Sequence, residues 1–123
     1  MDAMEELARR TPVWVALSEF YLDTELQPTD YAHLRSIFSR SGYTPQQIRT
    51  INAEEVAPVL LPNLLTVAGE WAGFNEQWLV AAVLAAQARN QREGGWRVRA
   101  WLHRYGGKVR FFTDAHFKAV FEA

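Results

Sequence analysis

The sequence predicts an all-α fold, a single compact domain over 1–123 built from five or six short helices. Three observations point there. A capping residue precedes proline at Thr11-Pro12 and again at Thr44-Pro45, the signature of a helix start. Apolar residues recur at three- and four-residue spacing through most of the chain. Glycines stand where those stripes end, at Gly42 and at Gly94-Gly95.

From the N-terminus, residues 2–9 form a short leading helix or fray, and Pro12 marks a break after them. Val13, Leu17, Phe20 and Tyr21 then share one face of a helix that ends near Asp23. Thr29, preceded by Pro28, reads as the next cap, with Tyr31, Leu34, Ile37 and Phe38 on its apolar side and Gly42 as the stop. Thr44-Pro45 opens a third helix carrying Ile48, Ile51 and Val56, which Pro58 or Pro62 should kink or end. The stretch 61–74 is nearly all apolar, yet it holds Pro62, Gly69 and Gly73, poor residues for a helix interior. An irregular, core-crossing path is expected there, with Glu70 near apolar surface. Asn75 caps a fourth helix, whose apolar side is Trp78, Leu79, Val83 and Leu84 and whose end is Gly94-Gly95. Residues 96–105 read as a helix. They also alternate, so a hairpin over 96–112, turning at Gly106-Gly107, competes; the surrounding pattern favours the helix. Thr113 is expected to cap a last helix, with Phe117, Val120 and Phe121 inward. Most of the five tryptophans are expected in the core.

Composition narrows the function classes. The chain has 123 residues, 49% apolar and 22% charged, ordinary for a globular domain. No run is long enough to span a membrane, and the N-terminus runs acidic then basic, the reverse of a signal peptide. Cysteine is absent, which fits a cytoplasmic setting and removes thiol chemistry. His33, His103 and His116 lack metal-ligand spacing, so no metal and no cofactor are expected. No GxGxxG, P-loop or GxSxG pattern occurs, and the expected answer to catalysis is none. A small enzyme centred on Glu70, the carboxylate set in the most apolar surroundings, remains an alternative.

Charge is distributed unevenly. Residues 1–88 hold five Lys or Arg against eleven Asp or Glu, a net of −6, whereas residues 89–123 hold eight against three, a net of +5. Either the two parts neutralise each other or each presents a face to a partner of opposite sign. Candidate contacts on the acidic side are Glu19, Asp23, Glu25, Asp30, Glu54 and Glu55. On the basic side Arg97, Arg99, Arg104, Lys108 and Arg110 lie among Trp96, Trp101 and Tyr105, a composition that suits nucleic acid, although the acidic remainder would repel a long polyanion.

Three segments, RRTPVWVALSEFYLDTEL (9–26), EEVAPVLLPNLLTVAGEWAGF (54–74) and NEQWL (75–79), resemble a small bacterial domain family of unknown function. Its members carry a similar Pro-Val-Trp…Leu-Ser…Asp-Thr-Glu-Leu start and a similar Pro-Asn-Leu…Ala-Gly-Glu-Trp-Ala-Gly-Phe centre. The resemblance covers roughly 9–90 and brings no catalytic residues with it. The matching residues suited to touch a partner are Asp23, Glu25, Glu55, Glu70 and Trp71; Pro62, Asn63, Gly69 and Gly73 suit shaping the backbone. By analogy with small stand-alone bacterial proteins, the expected role is an immunity protein that occludes the basic active site of a cognate toxin. A nucleic-acid-binding regulator using the basic segment is the alternative.

Overall fold

The computed structural model describes residues 2–21, 25–66 and 75–122, with 63–66 as backbone only. Among these residues there is no strand. The elements are α1 (Ala3–Ser18), a 3-10 turn (Glu19–Tyr21), α2 (Pro28–Ser41), α3 (Pro45–Ile51), a π-helical turn (Asn52–Val56), α4 (Ala57–Thr66), α5 (Glu76–Arg92) and α6 (Trp96–Phe121). Because α3, the π turn and α4 run on without a break, the described chain is five rods.

Several starts and stops lie where the residue chemistry puts them. Thr44 and Gln47 cap α3 reciprocally: the Gln47 N–H donates to Thr44 Oγ1 at 3.1 Å, and the Thr44 N–H to Gln47 Oε1 at 2.8 Å. Asn75 Oδ1 accepts from the Trp78 N–H at 2.9 Å. Gly42 ends α2 with φ 79, and Gly94 and Gly95 turn the chain between α5 and α6 with φ 76 and 80. The cap of α2 is Gln27 rather than Thr29, with Pro28 as the first helical residue. Asp30 stands behind that start, its carboxylate accepting the Gln27 N–H at 2.8 Å.

Three expectations about breaks are corrected. Pro12 does not divide residues 2–9 from the Val13 stripe; α1 is continuous from Ala3 and ends at Ser18, short of Asp23. Pro12 and Ala8 are both exposed, so water can serve the Ala8 carbonyl that proline leaves without a donor. Of the two outcomes expected at Pro58 or Pro62, a kink or an end, the end is not found, and a local widening precedes Pro58. Pro58 has no N–H for a fourth-residue bond, and the ladder widens just before it: the Ala57 N–H reaches the Asn52 carbonyl, five residues back. Residues 61–66 of the supposed irregular stretch are therefore helical, with Leu61 buried; residues 67–74, including Glu70 and Trp71, lie outside the described residues.

The third break is absent as well. Neither a hairpin over 96–112 nor a separate last helix forms, and α6 is one long helix of 26 residues. Thr113 caps nothing; its hydroxyl donates to the Val109 carbonyl at 2.7 Å. The stripe Val109, Thr113, Phe117, Val120 keeps helical spacing and is buried, and that burial outweighs the roughly 1 kcal/mol each that Gly106 and Gly107 cost a helix.

One buried cluster takes side chains from every element, with Trp14 and Leu17 of α1, Phe38 of α2, Ile48 of α3, Leu60 of α4, Leu79 and Val83 of α5 and Phe117 of α6 among its members. The core is not where the tryptophans gather. Of those described, only Trp14 is fully buried; Trp78 and Trp96 are exposed and Trp101 is half-buried, and Leu84 on α5 is exposed too.

Candidate functional site: an acidic junction and a basic helix end

Two clusters of carboxylates differ in what surrounds them. The inner cluster joins α1 to the π turn. Arg10 bridges Glu6 and Glu55, the Trp14 indole N–H donates to Glu55 Oε1 at 2.9 Å, and the Tyr43 hydroxyl donates to Glu6 Oε1 at 3.1 Å. Burial works against the Arg10 cation, but its bonds to Glu6 and Glu55 outweigh this and raise its pKa; the bond to Arg10 in turn lowers that of Glu6. The Glu55 side chain is 14% exposed, so this carboxylate faces inward. Beneath it the Tyr21 hydroxyl donates to Asn52 Oδ1 at 2.7 Å, fixing a polar residue of the π turn in the core.

The outer cluster lies where α1 gives way to α2. Glu19 follows α1 directly, and Glu25 and Asp30 flank the start of α2. No lysine or arginine ion-pairs with them among the described residues. Burial pushes the Glu19 carboxyl up, Asp30 adds to the push, and His33 opposes it. Burial also raises the Tyr31 phenol, with Glu25 and Asp30 contributing. Asp30 thus adds to what disfavours the Glu19 charge, and no lysine or arginine ion-pairs with either carboxylate among the described residues. Beside them His116 of α6 stacks on Phe20 with ring centres 4.8 Å apart, and its Nδ1 lies 2.7 Å from the Tyr31 hydroxyl. Burial lowers the His116 pKa.

The basic residues gather at the other end of α6. Arg97 pairs with Glu93, and no other cation of 89–110 has an ion-pair partner among the described residues. Asn90 holds this end together: its carbonyl accepts the Gly95 N–H at 2.9 Å and its side chain accepts the Val98 N–H at 3.1 Å, serving a helix whose own cap residue has no side chain. A cleft of about 390 Å³ between α5 and α6 is lined by Arg89, Trp96, Arg97, Trp101 and Arg104 together with Pro58. A neighbouring cleft of about 360 Å³ reaches the π turn and brings Glu54 and Glu55 to the same hollow as Arg99. Lys108 and Arg110 are exposed further along α6.

The sites read from sequence therefore separate into three places. Glu19, Glu25 and Asp30 lie about the junction of α1 and α2, Glu54 and Glu55 belong to the π turn, and the basic residues Arg97, Arg99, Arg104, Lys108 and Arg110 lie on α6. Asp23, Glu70 and Trp71 lie outside the described residues. Among described residues no lysine or arginine of 89–123 pairs with a carboxylate of 1–88, so the two halves of the sequence do not cancel by direct pairing. The His116–Tyr31 contact and the exposure of Trp96 are not among the candidates that the sequence pattern offers. The first depends on residues 85 apart, while the second was signalled by the Gly-Gly-Trp-Arg order at a helix start. No group of three His, Asp or Glu among the described residues could hold a metal, and no described helix is long and apolar enough to cross a membrane.

The spacing of the poles comes from helix geometry. His116, which touches the acidic junction, and Trp96 are twenty residues apart on α6, about 30 Å at 1.5 Å per residue. That is several times the roughly 8 Å over which salt screens charge at physiological strength. A family model described as a domain of unknown function (DUF7079) matches residues 8–119, a span that includes α5 and nearly all of α6. Comparison with curated proteins and with solved structures finds no match.

Proposed function

The chain belongs to the DUF7079 family of domains of unknown function, and we propose that it is a protein-binding module whose acidic pole docks on a basic surface of another protein. The observation that carries this reading is the outer cluster: Glu19 is partly desolvated with Asp30 acting on it, Glu25 and Asp30 both act on Tyr31, and none of the three carboxylates pairs with a lysine or arginine among the described residues. A partner that supplies the missing cations would turn an unfavourable arrangement into a complementary one and would associate quickly. The partner best suited is a cytoplasmically encountered bacterial toxin with a basic active site, neutralised by occlusion in the manner of an immunity protein. The binding needs no cofactor and makes or breaks no covalent bond.

The test couples protection to charge. Cells producing the chain should survive a toxin encoded in a neighbouring reading frame and few others. The triple variant Glu19→Lys, Glu25→Lys, Asp30→Asn keeps an acceptor for the Gln27 N–H. It should slow association with that toxin at least ten-fold at low salt while leaving the helical spectrum unchanged. Undiminished association by this variant, or no protection by the native chain, would count against the reading.

A further inference from the structure

The basic end of α6 is built differently from a solvated charged face. Seven cations lie in 89–110, six of them arginines, against the single carboxylate Glu93. Their neighbours are aromatic. Arg97 stands 5.9 Å from the centre of the Trp96 ring; Arg104 and Lys108 stand 5.5 and 6.0 Å from that of Tyr105; Trp101 and Tyr105 pack with ring centres 5.4 Å apart. Trp96 is 54% exposed at the mouth of the cleft that Arg89, Trp101 and Arg104 also line. No residue of 96–105 is fully buried: Trp96 faces solvent, while Trp101 packs partly against the core and still lines the cleft.

We infer that this groove binds single-stranded nucleic acid, with Trp96 and its neighbouring rings as a stacking platform for bases and Arg89, Arg97 and Arg104 as contacts to phosphates. Rings placed beside guanidinium groups are the arrangement that holds a strand without reading its sequence. Arginine suits phosphate because its planar fork offers two parallel donors and stacks on rings. An acidic peptide would satisfy the charge but would leave the exposed indole face without a flat partner.

The acidic part of the chain does not prevent this, because of where it lies. The Glu19–Glu25–Asp30 junction adjoins His116, twelve residues or about 18 Å along α6 from Arg104 and about 30 Å from Trp96. Both distances exceed the screening length. Glu54, across the adjoining cleft, limits the strand's path on the π-turn side. The site is therefore short, engaging a few phosphates. The inference is independent of the toxin-blocking reading, which concerns the other pole.

The experiment is fluorescence anisotropy of a labelled twelve-nucleotide oligothymidylate titrated with the full chain at 50 and 200 mM salt. If about four phosphates are contacted, affinity should fall about fifty-fold between the two salts. Trp96→Ala, at an exposed position, should weaken binding about ten-fold or more, with Trp96→Phe recovering most of it. Arg89→Gln with Arg104→Gln should flatten the salt slope, and Glu19→Gln at the far pole should change affinity less than two-fold. No binding at 50 mM salt, an unaffected Trp96→Ala, or tighter binding by an oligoglutamate peptide or by duplex than by the single strand would overturn the inference. The oligoglutamate outcome would assign the groove to an acidic protein segment instead.

Discussion

The two ends of α6 lie on one unbroken helix and have opposite surroundings. From Val109 onward the helix buries Val109, Thr113, Phe117 and Val120, and Arg35 clasps the carbonyls of Val120 and Ala119 at 2.6 and 3.0 Å. From Trp96 to Tyr105 nothing is fully buried, cations outnumber carboxylates, and an indole faces solvent. Gly106 and Gly107 stand between the two. The difference separates the buried part of the helix from its exposed part, and Trp96 lies roughly 30 Å along the axis from His116, the residue beside the acidic junction.

The largest effect should come from exchanging an aromatic residue in each half. Phe117 packs edge-on to Phe20 with ring centres 5.1 Å apart and lies parallel to Phe121, so Phe117→Ala should cost about 3–5 kcal/mol in urea unfolding. Trp96→Ala should cost less than about 0.5 kcal/mol by the same measurement. Similar losses at the two positions would erase the distinction between the halves.

A second contrast concerns carboxylates. Glu55→Ala removes the acceptor of the Trp14 indole and a partner of Arg10, and should lower stability by about 1–3 kcal/mol. Glu19→Gln removes a charge that burial and Asp30 already disfavour, so stability should hold or rise slightly. Chemical unfolding of the two variants side by side checks both signs.

The glycines give a smaller effect with the opposite sign. Among the described residues, a methyl group at Gly106 or Gly107 would meet only the Arg110 guanidinium, at 3.7 and 4.0 Å. Replacing each by alanine should therefore stabilise by up to about 1 kcal/mol, raising the thermal midpoint. A lowered midpoint would show that these positions need glycine for some reason other than the helix seen here.

The smallest effect is with pH. Burial lowers the pKa of His116 in the folded protein, so below about pH 6.5 the unfolded chain takes up a proton that the folded chain resists. This contribution is whole above that pH and declines as pH falls toward the folded pKa. Glu19, raised by burial, acts in the opposite sense at lower pH. His116→Phe should keep the stack on Phe20 and flatten the stability profile between pH 7 and 5.5; an unchanged profile would remove His116 as its source.

How much of this was legible in the residues depends on the range of the interaction. Caps are local, and Thr44, Asn75, Gly42 and Gly94-Gly95 declared themselves. Prolines misled because the cost of a lost N–H depends on its surroundings: Pro12 and Ala8 face solvent, and the helix takes up Pro58 with a widened turn just before it. Gly106-Gly107 misled because burial further along the helix outweighs a local preference. The acidic candidates were readable as a set. Which of them would be neutralised was not, since the partner of Glu55 is Arg10, 45 residues away. The same holds for the tryptophans: their number says nothing about which ones face water.

The separation of the poles is tested most directly by recording backbone amide and indole resonances while adding an oligothymidylate to one sample and an oligolysine to another, both at low salt. The oligothymidylate is expected to move signals within 89–110, the Trp96 indole above all, and the oligolysine to move those of Glu19, Glu25, Asp30 and Tyr31 at the other end. Displacement of the same residues by both probes, or of none by either, would contradict that separation.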